Sequence, residues 1–97
     1  HVLEVVAFDL YQNVTKAVLG AVPTSTLFLQ QCPGFVSRRL AVDNISKHWM
    51  DVVEWATMED AMAAANAFES SPLTQAFLAL IDMSSAKMDH YSIMISV

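Results

Sequence analysis

Apolar runs separated by turn residues predict an alternating order of strands and helices in the first third of the chain. Val2–Leu10 is rich in Val, Leu and Phe, which is typical of a strand. Asn13 is placed to cap a helix that starts near Val14 and runs toward Gln31. We expect Pro23, which has no amide hydrogen, to kink or split this helix. Cys32-Pro33-Gly34 should end it, since glycine tolerates a left-handed exit.

The middle of the chain predicts a hairpin followed by a second helix. Phe35–Val42 and Lys47–Ala56 have strand composition, and Asp43-Asn44-Ile45-Ser46 between them is typical of a turn. Thr57 is a good helix cap, and small apolar residues then recur at helical spacing. Ser70-Ser71-Pro72 predicts a break after which a short helix restarts.

Ala86–Val97 is predicted to be the last strand, which completes the order β-α-β-β-α-β in a single domain over residues 1–97. Both side-chain parities of the first and third predicted strands are mainly apolar, so both faces of the sheet should be covered. Two helices cover only one face. We therefore expect a second copy of the chain to cover the other, in a two-fold homodimer. The alternatives are an exposed apolar face or a different partner.

Composition narrows the classes of partner. The 97 residues are 55% hydrophobic with a net charge of −5, and the longest basic cluster is Arg38-Arg39, so nucleic acid is not an expected partner. Charged residues interrupt every apolar stretch, so no membrane span is predicted. Cys32 is the only cysteine and no signal peptide is evident, which fits a cytoplasmic location. Two glycines are too few for a phosphate-binding loop.

Five segments, in this order, resemble the antibiotic biosynthesis monooxygenase-like family. They are Pro33-Gly34-Phe35, Ser37-Arg38-Arg39-Leu40, the strand Trp49–Trp55, the alanine-rich helix leading to Ser70-Ser71-Pro72, and Phe77–Asp82. The family belongs to the dimeric α+β barrel superfamily. The resemblance therefore implies a ferredoxin-like α+β fold: a four-stranded antiparallel sheet with two helices on one face, paired with the sheet of a partner.

The resemblance also implies a pocket between sheet and helices. Some members of the family oxygenate aromatic molecules without metal or flavin, others degrade haem, and others are isomerases. The haem-degrading members bind iron through a histidine on the second helix, and Glu59–Leu80 contains none. Haem degradation by that arrangement is therefore disfavoured, and we expect neither a cofactor nor a metal site.

Two residues are candidates for a catalytic base. Asp51 shares a strand face with Trp49 and Trp55, but it also has a structural interpretation, as the ion-pair partner of Arg38 or Arg39. His90 lies in the last predicted strand, and an imidazole there has the right basicity for proton abstraction. Its alternative role is that of a hydrogen-bonded structural histidine.

Aromatic and soft apolar side chains are the candidates for holding a substrate ring. They are Trp49, Trp55, Phe77, Met88 and Tyr91. Each of them also has a simpler interpretation as a packing residue. Carboxylates on apolar strands, such as Glu4, are a further signal, because one that lacks a cation would have a raised pKa and suit a general base.

The leading functional hypothesis is a cofactor-independent monooxygenase that binds a small apolar or aromatic molecule between sheet and helices. In it, Asp51 or His90 removes a proton and the resulting anion reacts with oxygen. Two alternatives stay open. One is a non-catalytic ligand-binding module, whose pocket would be closed or purely apolar. The other is an isomerase or lyase acting on a small acid, which would need a cation in the pocket.

Overall fold

A computed structural model describes residues 1–97 as one antiparallel sheet with helices packed on it. The elements are β1 Val2–Leu10, α1 Thr15–Gln31, β2 Phe35–Val42, β3 Trp49–Trp55, α2 Met58–Phe68, the short α3 Gln75–Leu78 and β4 Ile81–Ser92. The strand order is β2-β3-β1-β4. The predicted ferredoxin-like α+β fold is confirmed.

The register of the strands sorts the side chains onto two faces. Glu4 in β1 lies opposite Val53 in β3 and opposite His90 in β4, and the alternate residues along each strand share that face. This is the buried face: Phe8, Trp49 and Val53 are among its core residues. The intervening residues, such as Leu3 and Val52, point away from the helices and are only partly covered.

The core has two parts that meet under the helices. One lies around Phe8, Trp49 and Phe77 at the α3 end, where Phe8 stacks on Trp49 and meets Phe77 edge-on. The other lies around Trp55 and Ala61 at the start of α2. The apolar contacts of both parts join the sheet to the helices, so the helix-facing side supplies most of the hydrophobic stabilisation.

Several predicted boundaries differ from the structure. Asn13 does not cap α1: the cap position is Val14, which makes no side-chain capping hydrogen bond. Pro23 does not split the helix, which continues through it because Ala21 and Leu29, on either side, are buried against the rest of the core. The missing amide hydrogen therefore costs less than loss of that packing would.

The last strand also begins and ends earlier than predicted. β4 starts at Ile81, which pairs with Leu10, and ends at Ser92 opposite Val2, so its bounds follow the length of β1. The apolar residues after it do not extend the sheet, apart from one hydrogen bond from the Ile93 amide to the His1 carbonyl. By contrast, the Thr57 cap of α2 is confirmed, since its hydroxyl accepts from the Asp60 amide.

Two irregularities in the ladder redirect side chains. A register shift between Phe35 and Ser37 lets both Phe35 and Arg38 face the helices. A larger one occurs in β4, where Lys87 pairs with Ala7 but Asp82 pairs with Asp9. The residues between them form a bulge, and the hydroxyl of Ser85 accepts the Asp9 amide hydrogen in place of a strand partner.

A helix that crosses a membrane needs about 20 consecutive, mainly apolar residues. None of the helices in this chain has both the length and the apolar character that a crossing requires.

Gly34 provides a test of how α1 is joined to β2. Its φ of 80° is left-handed, and an added Cβ would lie 2.8 Å from the Asp60 Cβ and closer still to its carboxyl group. We expect Gly34→Ala to lower the free energy of unfolding in urea by at least about 1–2 kcal/mol, the usual cost of left-handed backbone for a residue with a Cβ. Gly20→Ala is the matched control, because it adds a methyl group to open space in a helix and should stabilise by roughly 0.5–1 kcal/mol. Equal effects at the two positions would contradict this account.

Candidate functional site

A cavity of about 260 Å³ lies between the sheet and the helices. Such a volume is just below the usual range for ligand pockets, which starts at roughly 300 Å³, so it suits a small molecule. Of its 16 lining residues 13 are hydrophobic, and the polar ones are all carboxylates, namely Glu4, Asp51 and Glu69. Ala64 and Ala65 form part of the α2 side. The alanine-rich helix therefore leaves space over the sheet rather than filling it.

The β4 bulge forms part of the cavity wall. Met83 and Ala86 from the bulge, and Met88 just after it, line the cavity together with Ile81. Met83 and Met88 are about half exposed, which places them where the cavity meets solvent. The irregularity in the edge strand thus positions flexible apolar side chains at the mouth of the cavity.

Arg38 is the only cation buried beside the cavity, and its hydrogen bonds are made to groups within the fold. Its guanidinium donates to both carboxylate oxygens of Asp51, at 2.7–3.2 Å, and to the hydroxyls of Ser25 at 2.7 Å and Thr26 at 3.0 Å. It also lies 4.9 Å from the ring centre of Phe77. The side chains of Arg38 and Asp51 are only 5% and 10% exposed. This pair is one unit in which the charges neutralise each other.

Glu4 has different surroundings. Its carboxylate lines the cavity and has no lysine or arginine partner; its polar contact is the imidazole of His90, with Oε2 and Nε2 2.9 Å apart. The Trp55 indole N–H is buried near Glu4 without a hydrogen-bond partner of normal geometry. Burial raises the pKa of Glu4 above its usual range, and the hydrogen bond and charge of His90 partly oppose that shift. Glu4 is therefore a carboxylate that can accept a proton at the cavity wall.

The structure brings together only some of the candidate residues. Asp51, Phe77 and Met88 line the cavity. His90 is not in the cavity wall, but it is hydrogen-bonded to Glu4, which is. The other three candidates, Trp49, Trp55 and Tyr91, do not line the cavity.

Trp49 and Trp55 are core residues that do not line the cavity, since Trp49 stacks on Phe8 and Trp55 packs edge-on against Phe35. Tyr91 pairs with Leu3 and is on the outer face of the sheet, 54% exposed. Parity explains this: His90 faces the helices, so its neighbour in the strand faces away.

Three residues of the site were not among the catalytic or substrate-binding candidates from sequence. Glu4 was marked only as a carboxylate in an apolar strand, and its pairing with His90 joins residues 86 positions apart. Arg38 was one of two arginines expected to pair with Asp51, and the hydrogen bonds select it over Arg39. Glu69 follows α2 at the cavity mouth, and no sequence pattern marked it.

The architecture of this chain is similar to that of several solved structures. No protein family's sequence profile matches the chain, and no curated protein matches it. The structure of a "putative antibiotic biosynthesis monooxygenase" from Bordetella bronchiseptica superposes with a TM-score of 0.82 at 10% identity over 97% of both chains. SnoaB, a cofactor-independent oxygenase from Streptomyces nogalater, superposes as its N63A mutant with a TM-score of 0.78 at 15% identity, over 99% of this chain and 95% of SnoaB. The chain has the fold of the antibiotic biosynthesis monooxygenase-like proteins.

The same fold also occurs in a haem-binding protein. MhuD from Mycobacterium tuberculosis, a haem-degrader solved with two haems in its active site, superposes with a TM-score of 0.75 at 14% identity over 100% of this chain and 99% of MhuD. Architecture shared at such identities does not choose between these chemistries. The choice must rest on the side chains around the cavity. No group of three or more His, Cys, Asp or Glu side chains is placed to hold a metal ion.

The Arg38–Asp51 pair gives a prediction about stability. We expect Asp51→Asn to reduce the free energy of unfolding by about 3–5 kcal/mol, because it leaves the buried guanidinium of Arg38 without its counter-charge. The measurement is urea unfolding followed by circular dichroism. Glu59→Gln is the control, because this carboxylate is exposed in the first turn of α2; it should change stability by no more than about 1 kcal/mol. A loss at Asp51 as small as that at Glu59 would show that the buried pair is not a structural unit.

Proposed function

We propose that this protein is an oxygenase that acts, without metal or flavin, on a small and mainly apolar aromatic molecule bound between the sheet and the helices. The observation that supports this most is the composition of the cavity. Its wall is apolar except for carboxylates, and among the buried ones Glu4 is not held by a lysine or arginine. Such a wall combines a hydrophobic environment for rings with a group that accepts protons.

The proposed chemistry begins with removal of a proton from a phenol or from a C–H group activated by a neighbouring carbonyl. The electron pair of the broken bond stays on the substrate and makes it reactive toward O₂. In an anthrone, for example, a CH₂ group becomes a C=O group. One oxygen atom enters the product, the other leaves as water, and the substrate supplies the electrons. No external reductant is required, and an apolar cavity favours the uncharged gas.

The charges of the cavity argue against the alternative ligands. Haem and small organic acids are anionic, whereas the only charged side chains in the wall are carboxylates. The nearby guanidinium of Arg38 is already hydrogen-bonded to Asp51, Ser25 and Thr26. An isomerase or lyase acting on an acid would require a free cation there. A purely apolar pocket would favour a non-catalytic binding module, but Glu4 contributes to this wall. A neutral aromatic molecule that donates a proton fits best.

A ligand screen followed by oxygen measurement tests this proposal. We expect neutral phenols, quinols or anthrones to raise the melting temperature, since binding to the native state alone stabilises it, while haem and small carboxylic acids have no effect. Dithranol (a dihydroxyanthrone) should then consume O₂ faster with the protein than in buffer, and yield the quinone. Stabilisation by the neutral molecules without oxygen uptake would favour the binding module. Stabilisation by acids or haem alone would reject the proposed substrate class.

We also propose that two copies of the chain pair through the outer faces of their sheets. Leu3, Val5 and Val52 form an apolar centre on that face, and they are only partly covered in the single chain. Both charge signs occur on the same face, with Arg39 on β2 and Asp89 on β4. A surface with an apolar centre and charges of both signs is able to complement itself about a two-fold axis.

Light scattering during gel filtration measures this association. We expect the wild-type chain to have twice the monomer mass and Val52→Arg to have the monomer mass, because the arginine would place a charge at the apolar centre of each face. Leu19→Arg is the control: Leu19 is 60% exposed on α1, and the same substitution there should leave the dimer intact. A dimeric Val52→Arg variant would show that association uses another surface.

A further inference from the structure

The proposed function leaves open which group removes the proton from the substrate and how that proton leaves a mainly apolar cavity. Asp51 and His90 were the candidates from sequence, and neither is placed for it alone. The Asp51 oxygens accept three hydrogen bonds from Arg38, so they are committed to the fold. His90 is not among the residues that line the cavity. Between His90 and the cavity lies Glu4.

From this geometry we infer that Glu4 is the catalytic base and that His90, hydrogen-bonded behind it, is a positioning residue through which the proton reaches solvent. The inference rests on the proposed function for the kind of substrate but concerns a step that precedes any reaction with oxygen. A Glu4 carboxylate oxygen takes a proton from the substrate O–H or C–H, and the electron pair of that bond remains on the substrate. The proton then passes to Nε2 of His90 when that nitrogen holds a lone pair, which restores the carboxylate.

The position of each residue in the sheet suits its role. Glu4 is in β1, a central strand, with a side chain only 8% exposed, so its carboxylate is presented to the cavity and shielded from bulk water. His90 is in β4, an edge strand, and its side chain is 16% exposed. The Glu4–His90 pair therefore spans the distance from the cavity wall to the edge of the sheet. Proton transfer from an apolar cavity requires such an exit.

The charged and polar groups around Glu4 adjust its basicity in opposite directions. Burial raises its pKa, the hydrogen bond and charge of His90 lower it, the carboxylate of Asp51 raises it, and the indole of Trp55 lowers it. Glu69 contributes another carboxylate to the same cavity from the end of α2, and Arg38 is neutralised by Asp51. Since His90 favours the charged form of Glu4, removal of His90 should raise the pKa of Glu4 further.

Hydrogen–deuterium exchange at the CH₂ group of dithranol isolates the proton step. The measurement is made under nitrogen in D₂O, so it does not depend on reaction with oxygen. We expect the wild-type protein to speed the exchange, and Glu4→Gln to slow it by roughly 100- to 10,000-fold, the usual contribution of a general base. Glu59→Gln on the exposed surface of α2 is the control and should exchange like the wild type. Melting temperatures establish that each variant is folded.

His90→Gln tests whether His90 acts on the proton of Glu4. A purely structural role of His90 would leave the pH dependence of the exchange rate unchanged. The carboxylate remains, so exchange should continue, but its rate should rise with pH later than in the wild type, because Glu4 would hold its proton to higher pH. An unchanged pH profile would reject the role of His90, and exchange in Glu4→Gln at the wild-type rate would reject Glu4 as the base.

The two proposals fail separately. If the wild type exchanges the CH₂ hydrogens in a Glu4-dependent manner but consumes no O₂ in air, the assignment of Glu4 holds and the oxygenase proposal fails. If the protein consumes O₂ with dithranol and Glu4→Gln does so equally well, the oxygenase proposal holds and the assignment of Glu4 fails. Bound dithranol that the wild type does not exchange would also overturn the assignment.

Discussion

The guanidinium of Arg38 makes contacts with the sheet and with two of the helices that pack on it. It extends from β2, reaches the carboxylate of Asp51 in β3, binds two hydroxyls of α1 and lies against the Phe77 ring in α3. Apolar packing tolerates some sliding of helices over a sheet, whereas five directed hydrogen bonds define one position. Taking the two charges out of water is costly, so the pair contributes more to the choice of one arrangement than to net stability.

This constraint determines what each carboxylate beside the cavity can do. Asp51 and Glu4 lie on the same face of the sheet and on adjacent strands. Arg38 supplies the counter-charge that allows the Asp51 carboxylate to be buried. The negative charge of Asp51 repels that of Glu4 and so raises the pKa of Glu4. Glu4 has the imidazole of His90 as its partner instead. Two chemically similar side chains in one cavity thus have different roles, one holding the fold and the other free to exchange protons.

The sequence indicated much of the fold because local patterns determine it. The runs Val2–Leu10 and Phe35–Val42 and the Thr57 cap appear as predicted. The sequence left Arg38 and Arg39 both open as partners of Asp51, and the structure pairs Asp51 with Arg38. The bounds of β4 could not be predicted from its own residues, because they are set by pairing with β1. The Glu4–His90 contact is of the same kind: it depends on the pairing of two strands from opposite ends of the chain. Trp49 and Trp55 resembled a pocket wall only because aromatic residues fill cores and pockets alike.

The bulge in β4 has a consequence for how such a protein can diversify. Four residues of β4 lie between Asp82 and Lys87, whereas only Phe8 lies between their partners in β1, so three residues of β4 have no counterpart. The backbone amide of Asp9 donates its hydrogen bond to the Ser85 hydroxyl instead of to a strand carbonyl. Met83 at the cavity mouth and Ala86 in the cavity wall therefore belong to a segment whose length and side chains are not tied to the strand ladder. Substitutions or insertions there would reshape the entrance while the pairing of β1 with β4 on either side stays in register. Selection for a new guest molecule could then act on this segment with little penalty to folding, and leave the proton-handling residues in place.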